Sequence, residues 1–232
     1  MKHPRELRFV LLFGAMGASC VGLAALLGGC AWLLVWPGLV GFVLALGYGG
    51  FGPRIFAKRP DGTLSPLRVL LLAPYFLVTW TLWGLLRLTG EPSFHEVRPG
   101  LYLGRRPLER ELPRDVRAVV DLTAEFAADR RPGVAYLCAP ALDGGVPEEQ
   151  AMRELLRALR KLEGPVYVHC AAGHARSASV VAAMLVLEGR AATIDDAERM
   201  LQDIRPRVSM TASQRALVAR LVRELAAEPV TR

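Results

Sequence analysis

The sequence predicts an α/β domain with a central sheet flanked by helices on both faces, preceded by an N-terminal region of transmembrane helices. Three observations carry this reading. Residues 1–90 contain three long apolar segments and few charges. Residues 91–232 alternate short β-rich runs with segments of helical period, an order that builds a sheet with helices packed on it. Between the two, "TGEPSFHEVRPG" punctuates the chain with Gly90, Pro92, Pro99 and Gly100.

The first apolar segment runs from Phe9 to Cys30 without a charge for 22 residues. At 1.5 Å per residue such a helix spans a hydrocarbon core of roughly 30 Å. A cleaved signal peptide would be shorter, and here a second apolar segment, residues 31–51, follows at once. Gly14, Ala18 and Gly22 on the first helix, with Gly41, Ala45 and Gly49 on the second, recur at four-residue spacing and predict a tight hairpin. The third segment, about 67–88, is uncharged for 18 residues between Arg68 and Arg87 and is interrupted by Pro74. It stands between a span and an interfacial helix. If it does not cross, the basic residues beside every segment (Arg5 and Arg8, Arg54 to Arg59, Arg87 to Arg106) all face the cytoplasm. The expectation is an integral membrane protein of bacterial inner-membrane type, its second domain (91–232) in the cytoplasm, where a thiol stays reduced.

In that domain "LYLG", "VRAVVDLT" and "GVAYLCAP" read as strands. Residues 148–163 carry Met152, Leu155, Leu156, Leu159 and Leu162 at helical spacing, and Gly164 and Pro165 stop the helix. "VYVHC" then reads as a buried strand. Helices follow from Ser177 to Glu188, from Thr193 to Ile204 with Asp195 and Asp196 in its first turn, and from Thr211 to about Ala227.

Residues 1–90 hold eight Lys and Arg against two acids, and residues 91–232 hold 21 against 20. The basic excess therefore belongs to the apolar region, where it suits anionic lipid headgroups, and the near-neutral domain speaks against a nucleic-acid partner. Cys20, Cys30, Cys138 and Cys170 form no CxxC pair and no disulfide framework.

The informative stretch is "VYVHCAAGHARSASVV", residues 166–181. A strand ends at Cys170, a loop of small residues follows, and Arg176 opens a helix. Such a loop aims the N–H groups of Ala171, Ala172, Gly173, His174 and Ala175 at one point, and the helix start adds a positive dipole end. Arg176 can clamp two oxygens of a tetrahedral oxyanion in its planar fork. The same field lowers the pKa of a thiol at the base of the cradle and makes Cys170 a nucleophile. Ser177 can hydrogen-bond that sulfur, and His169 orients the loop. Phosphoryl transfer through such a thiolate needs an acid for the leaving oxygen. Asp143 in "PALDGGVP" is the candidate; Asp121 in "VVDLTAE" is a rival that reads better as a structural turn or cap.

These residues carry a resemblance. "HCAAGHARS" resembles the HCxxGxxRS signature of the cysteine-dependent protein-tyrosine and dual-specificity phosphatases, matched at His169, Cys170, Gly173, Arg176 and Ser177. "EVRPGLYLGRRP" is similar to the opening strand of the dual-specificity phosphatases, "VVDLTAE" to their second strand and "LDGGVP" to their general-acid loop, so the likeness extends over about residues 94–226. It implies a dual-specificity-phosphatase-like sheet, Cys170 as nucleophile, Arg176 as phosphate clamp and Asp143 as general acid, with no metal and no cofactor. The substrate would be a phosphotyrosine, phosphoserine or phosphothreonine protein. The chain is similar also to the phosphatidylglycerophosphate phosphatase of this family, which offers a phospholipid as the alternative.

An inert Cys170 would leave Arg176 and the glycine loop unexplained. A zinc site at His169, Cys170 and His174 lacks a second ligand cluster, and a rhodanese-type sulfur carrier has no use for Ser177 and an upstream acid. A catalytically silent phosphate-binding module would be marked by loss of Cys170, Arg176 or Asp143, and all three are present. Cys138 is a candidate for an oxidative disulfide with Cys170 or for a core position.

Overall fold

The computed structural model describes residues 4–228. Helix α1 (Pro4–Leu27) is joined by a 3₁₀ turn (Gly29–Leu34) to α2 (Val35–Leu46), and the two pack as an antiparallel hairpin. Leu7–Leu27 and Gly29–Phe56 are long and apolar enough to cross a bilayer.

The hairpin closes only in part on the small residues that the four-residue spacing predicts: Gly41 is among them, whereas Gly17 and Gly38 are not. A Cβ on Gly17 would come within 2.8 Å of the Gly38 carbonyl oxygen, and one on Gly41 within 2.9 Å of the Phe13 carbonyl oxygen. Gly14, Gly22 and Gly49 have open space instead. Spacing along a helix identifies a stripe, but the partner's position selects which stripe is covered.

The third apolar segment is two helices. α3 (Pro66–Leu71) ends at Leu72, and α4 (Ala73–Leu86) begins with Pro74 in its first turn, where a missing N–H costs nothing. Ahead of it, Gly62 accepts a hydrogen bond from the Ala128 N–H; within α4, Trp80 donates to the Glu125 carbonyl, and just behind it Arg87 pairs with Glu111. Thus the segment leaves the C-terminal domain and returns to it. Phe9, near the start of α1, lies against Gly144 of the same domain.

The sheet has the order β1-β2-β5-β3-β4, with β1 (Phe94–Arg98) antiparallel to β2 (Leu101–Arg105). β5 (Val166–Cys170), β3 (Ala118–Thr123) and β4 (Ala135–Ala141) continue in parallel. Alternation sends Val166, Val168 and Cys170 of β5, with Ala118, Val120 and Leu122 of β3, into one core. That core is built against α5 (Glu149–Lys161), α6 (Arg176–Leu187), α7 (Ile194–Ile204) and α8 (Ala212–Ala226).

The opposite face corrects the expectation of helices on both sides. Tyr102, Val119 and Tyr167 meet Leu112 and Val116 there, in chain that holds only a short 3₁₀ turn, Glu109–Glu111. The rest of this face takes polar side chains: Asp121, Thr123 and His169 are buried on it. Lys58, from the connection after α2, reaches them.

Candidate active site

β5 delivers Cys170 to the carboxyl end of the sheet, where a parallel strand opens into its crossover loop. The loop turns sharply at Gly173, which has φ +78° and would drive a Cβ to 2.4 Å from the Gly104 carbonyl carbon. Both the conformation and the space demand glycine there. Outside the loop, the Ala171 carbonyl accepts from the Arg106 N–H, the Ala172 carbonyl from Arg205 (3.0 Å), and the His174 carbonyl from the Ser209 N–H (3.0 Å). A trans peptide whose C=O points outward turns its N–H inward, so the N–H groups of Ala172, Gly173 and Ala175 face the centre. Gly173 N lies 3.2 Å from Cys170 Sγ.

The thiol is buried, and Ser177 Oγ stands 3.3 Å from it at the start of α6. Burial alone would raise its pKa; the Arg176 guanidinium and the hydrogen bonds from Ser177 and Gly173 outweigh burial and bring the thiol below its ordinary range. Arg176 is fully buried. Its Nη1 and Nη2 take the two Glu125 oxygens at 3.0 and 2.8 Å, and Nη1 also donates to the Ala141 carbonyl at 2.9 Å. Asp143 Oδ1 lies 3.2 Å from Nη2, on a side chain that is 75% exposed. Against the cost of burial, Glu125, Asp143 and the thiol hold Arg176 in its charged form.

The loop that carries Asp143 is fixed from two sides. Gln214, in the first turn of α8, donates to the Gly145 carbonyl at 2.7 Å while its own oxygen accepts from the Thr211 N–H. From the apolar region, the Tyr48 hydroxyl donates to the Asp143 carbonyl at 3.1 Å, and its ring stacks on Phe9 at 4.7 Å. The candidate catalytic set Cys170, Arg176, Ser177 and Asp143 thus converges on one place.

His169 lies beneath the loop. Burial depresses its pKa to about 4, so it is neutral at pH 7, and its nearest acid is Asp121 at 3.9 Å. Asp121 accepts from Lys58 Nζ (2.6 Å), the Tyr136 hydroxyl (2.7 Å) and the Thr123 N–H (2.8 Å). Burial pulls its carboxyl up; His169, Lys58 and these hydrogen bonds together hold it well below the usual carboxylate range. It is a turn and ion-pair residue. His174 does not project into water: its Nε2 lies 2.9 Å from Glu91, which also binds the buried Arg205 at 2.9 Å. Cys138 on β4 pairs with Asp121 on β3, which pairs in turn with His169 on β5. Two strand spacings, about 9.6 Å, exceed the roughly 7 Å that a disulfide bridges between Cα atoms, so Cys138 and Cys170 do not join in this fold.

Sequence reasoning missed Glu125, Arg205 and Gln214. A usable signal existed for the first: an arginine wholly inside a protein needs a counter-ion, and Glu125 follows the strand beside β5. For the others, only tertiary packing brings the partners together.

Residues 114–221 match the family model described as "Dual specificity phosphatase, catalytic domain". Among solved structures, PTPMT1 in complex with PI(5)P aligns at TM-score 0.50 with 26% identity, over 58% of this chain and 97% of that one. Tk-PTP in its active form aligns at TM-score 0.50 with 26% identity, over 57% and 97%. The Y102H variant of human DUSP28, at TM-score 0.51 and 24% identity over 59% and 99%, shares the fold. No curated protein sequence matches the chain. The sheet, the signature loop and these likenesses agree: over residues 114–221 this chain is similar to the catalytic domain of the dual specificity phosphatases.

Proposed function

We propose that this protein hydrolyses phosphomonoesters through a cysteinyl-phosphate intermediate on Cys170. The observation that carries the reading is the thiol itself, set at the floor of the inward N–H groups with Ser177 at 3.3 Å and held toward thiolate by Arg176. In the first step Cys170 Sγ bonds to phosphorus, the ester P–O bond breaks, and protonated Asp143 supplies the proton to the leaving oxygen. In the second, Asp143 carboxylate takes a proton from water, the water oxygen bonds to phosphorus, and the S–P bond breaks to regenerate the thiolate. Ser177 hydrogen-bonds the sulfur as it leaves. Arg176, oriented by Glu125, holds the non-bridging oxygens, and the N–H groups of Ala171, Ala172, Gly173, His174 and Ala175 complete the cradle, with His169 supporting it from below.

The loop fits a phosphorylated protein, with phosphotyrosine, phosphoserine or phosphothreonine, and it also fits a phospholipid. The lipid reading has an observation in its favour: PTPMT1 has been crystallised with PI(5)P, a phosphoinositide. The two long apolar helices support an integral membrane location, and the packing of Phe9 on Gly144 supports placing the N-terminus and the active site on the same side, which basic flanks make cytoplasmic.

Rapid-quench trapping of phosphate on the full-length protein in detergent tests the chemistry. Acid-stable label on the wild-type chain and none on Cys170→Ser is the expected result. Full activity in Cys170→Ser overturns the mechanism, and no Cys170-dependent release from any phosphomonoester returns the protein to a silent phosphate-binding module.

A further inference from the structure

A cavity of about 370 Å³ opens directly in front of the signature loop. Its floor is the acid loop and the loop base, with Asp143, Glu125 and Ala171 on the lining. One wall is Phe9 and Phe13 of α1 with Tyr48 from the end of α2, three rings stacked with centroids 4.7 to 6.4 Å apart. The other wall is a single face of α4, where Tyr75, Thr79, Leu82 and Leu86 recur at helical spacing beside Trp83. The cavity in front of the loop is thus walled mostly by aromatic and aliphatic side chains of the apolar region, with Phe126 of the phosphatase-like domain beside them.

We infer that these walls form a tail-binding subsite, and that the substrate is an amphiphile: a lipid phosphomonoester whose head enters the loop while its apolar chain lies between α1 and α4. The inference rests on the phosphatase reading above and names its substrate class. The size and make-up of the cavity, mostly apolar with a few convergent polar groups at one end, match what a site for such a molecule requires. Its position matches as well. α4 exposes Leu77, Val78 and Leu85 outside the cavity, so the cleft between α1 and α4 is continuous with surface that suits hydrocarbon. A phosphopeptide, whose backbone carries an N–H and a C=O at every residue, would leave polar groups unpaired against these rings.

The test separates a chain held in the cavity from simple tethering of an enzyme at a surface. Phosphate release by the full-length protein is measured on dioleoyl phosphatidic acid in mixed micelles, on dibutyryl phosphatidic acid in the same micelles, and on para-nitrophenyl phosphate. The long-chain lipid is expected to exceed the short-chain one in kcat/KM by at least about tenfold, because its methylenes leave water in the cavity. Leu82→Trp, which fills the cavity, lowers that ratio toward one, while Leu77→Trp, on the 70% exposed outer face of α4, keeps it. Equal ratios in both variants and the wild type leave only tethering and overturn the inference. Should Leu82→Trp fail to fold, a diazirine-bearing phosphatidic acid on Cys170→Ser gives the same answer: cross-links are expected on α1 and α4 around Phe13 and Leu82, and cross-links confined to other residues overturn it. Cys170-dependent release from para-nitrophenyl phosphate without release from the lipid rejects the subsite and leaves the phosphatase; absence of release from all three rejects both.

Discussion

Lys58 Nζ lies 2.6 Å from Asp121 Oδ2, with the two side chains 1% and 2% exposed. The pair joins the connection after the helical hairpin to a strand beside the nucleophile's strand. Removing only the cation leaves a buried carboxylate without its counter-ion. Lys58→Met is expected to destabilise the full-length protein by about 3–5 kcal/mol, and Lys58→Met with Asp121→Leu to recover much of it. Thermal inactivation midpoints of the single and double variants in one detergent check this; an unchanged midpoint in Lys58→Met would falsify it.

The second prediction concerns acid. His169 in the folded protein titrates at about 4 instead of its ordinary 6.5, because burial disfavours the imidazolium. Between those values the unfolded chain binds a proton that the folded one does not, so stability is complete above pH 6.5 and is lost as pH falls toward 4. The loss amounts to roughly 3 kcal/mol. Asp121, held below its ordinary range, adds a further loss of the same sign at still lower pH. Denaturant midpoints from pH 7 to pH 4 should fall steeply in the wild type and less steeply in His169→Asn.

Alkylation reports on the nucleophile. Only the thiolate reacts, and Arg176, Ser177 and Gly173 bring Cys170 below the ordinary thiol value of 9.0. The rate of inactivation by iodoacetamide should therefore rise with pH through a midpoint below that value. In Ser177→Ala the midpoint moves upward, since one hydrogen bond to the sulfur is gone. A midpoint that stays put would mean that Ser177 does not touch the thiolate in solution.

Asp143 is testable by leaving group. An alkyl phosphate needs its departing oxygen protonated, whereas para-nitrophenolate leaves with little help. Asp143→Asn should lower kcat/KM for an alkyl phosphate by about 10²–10⁴, and far less for para-nitrophenyl phosphate. Equal losses on both would reassign the residue from proton donor to a partner that orients Arg176, 3.2 Å away.

Much of this was legible in the sequence because chemistry with strict geometry leaves strict spacing. Cys170, Gly173, Arg176 and Ser177 lie within eight residues on one strand-loop-helix unit, so local sequence places them. Thr193 and Thr211 announce their helices, and each accepts the N–H three residues on. Glu125 is the harder case: a buried arginine signals that some counter-ion exists, but Glu125 lies 51 positions from Arg176, and only the parallel pairing of β3 with β5 singles it out. The polar face of the sheet misled for a related reason. Asp121, Thr123 and His169 look like loop-facing residues until Lys58, 63 positions before Asp121, is folded against them. The third apolar segment hid its nature because composition cannot distinguish a crossing helix from two helices that turn back, and Pro74 serves either.

The return of that segment changes what counts as a unit in this chain. Gene fusion, truncation and subcloning all cut where sequence changes character, here at Gly90. A fragment cut there would lack Lys58, which neutralises Asp121, and would present Ala124 and Leu142, now packed beside Phe56 and Phe76, to solvent. Such a fragment is a domain by alignment and an incomplete body by physics. A working exchange of the phosphatase-like half is therefore expected to carry the stretch from Lys58 through Phe76 across with it.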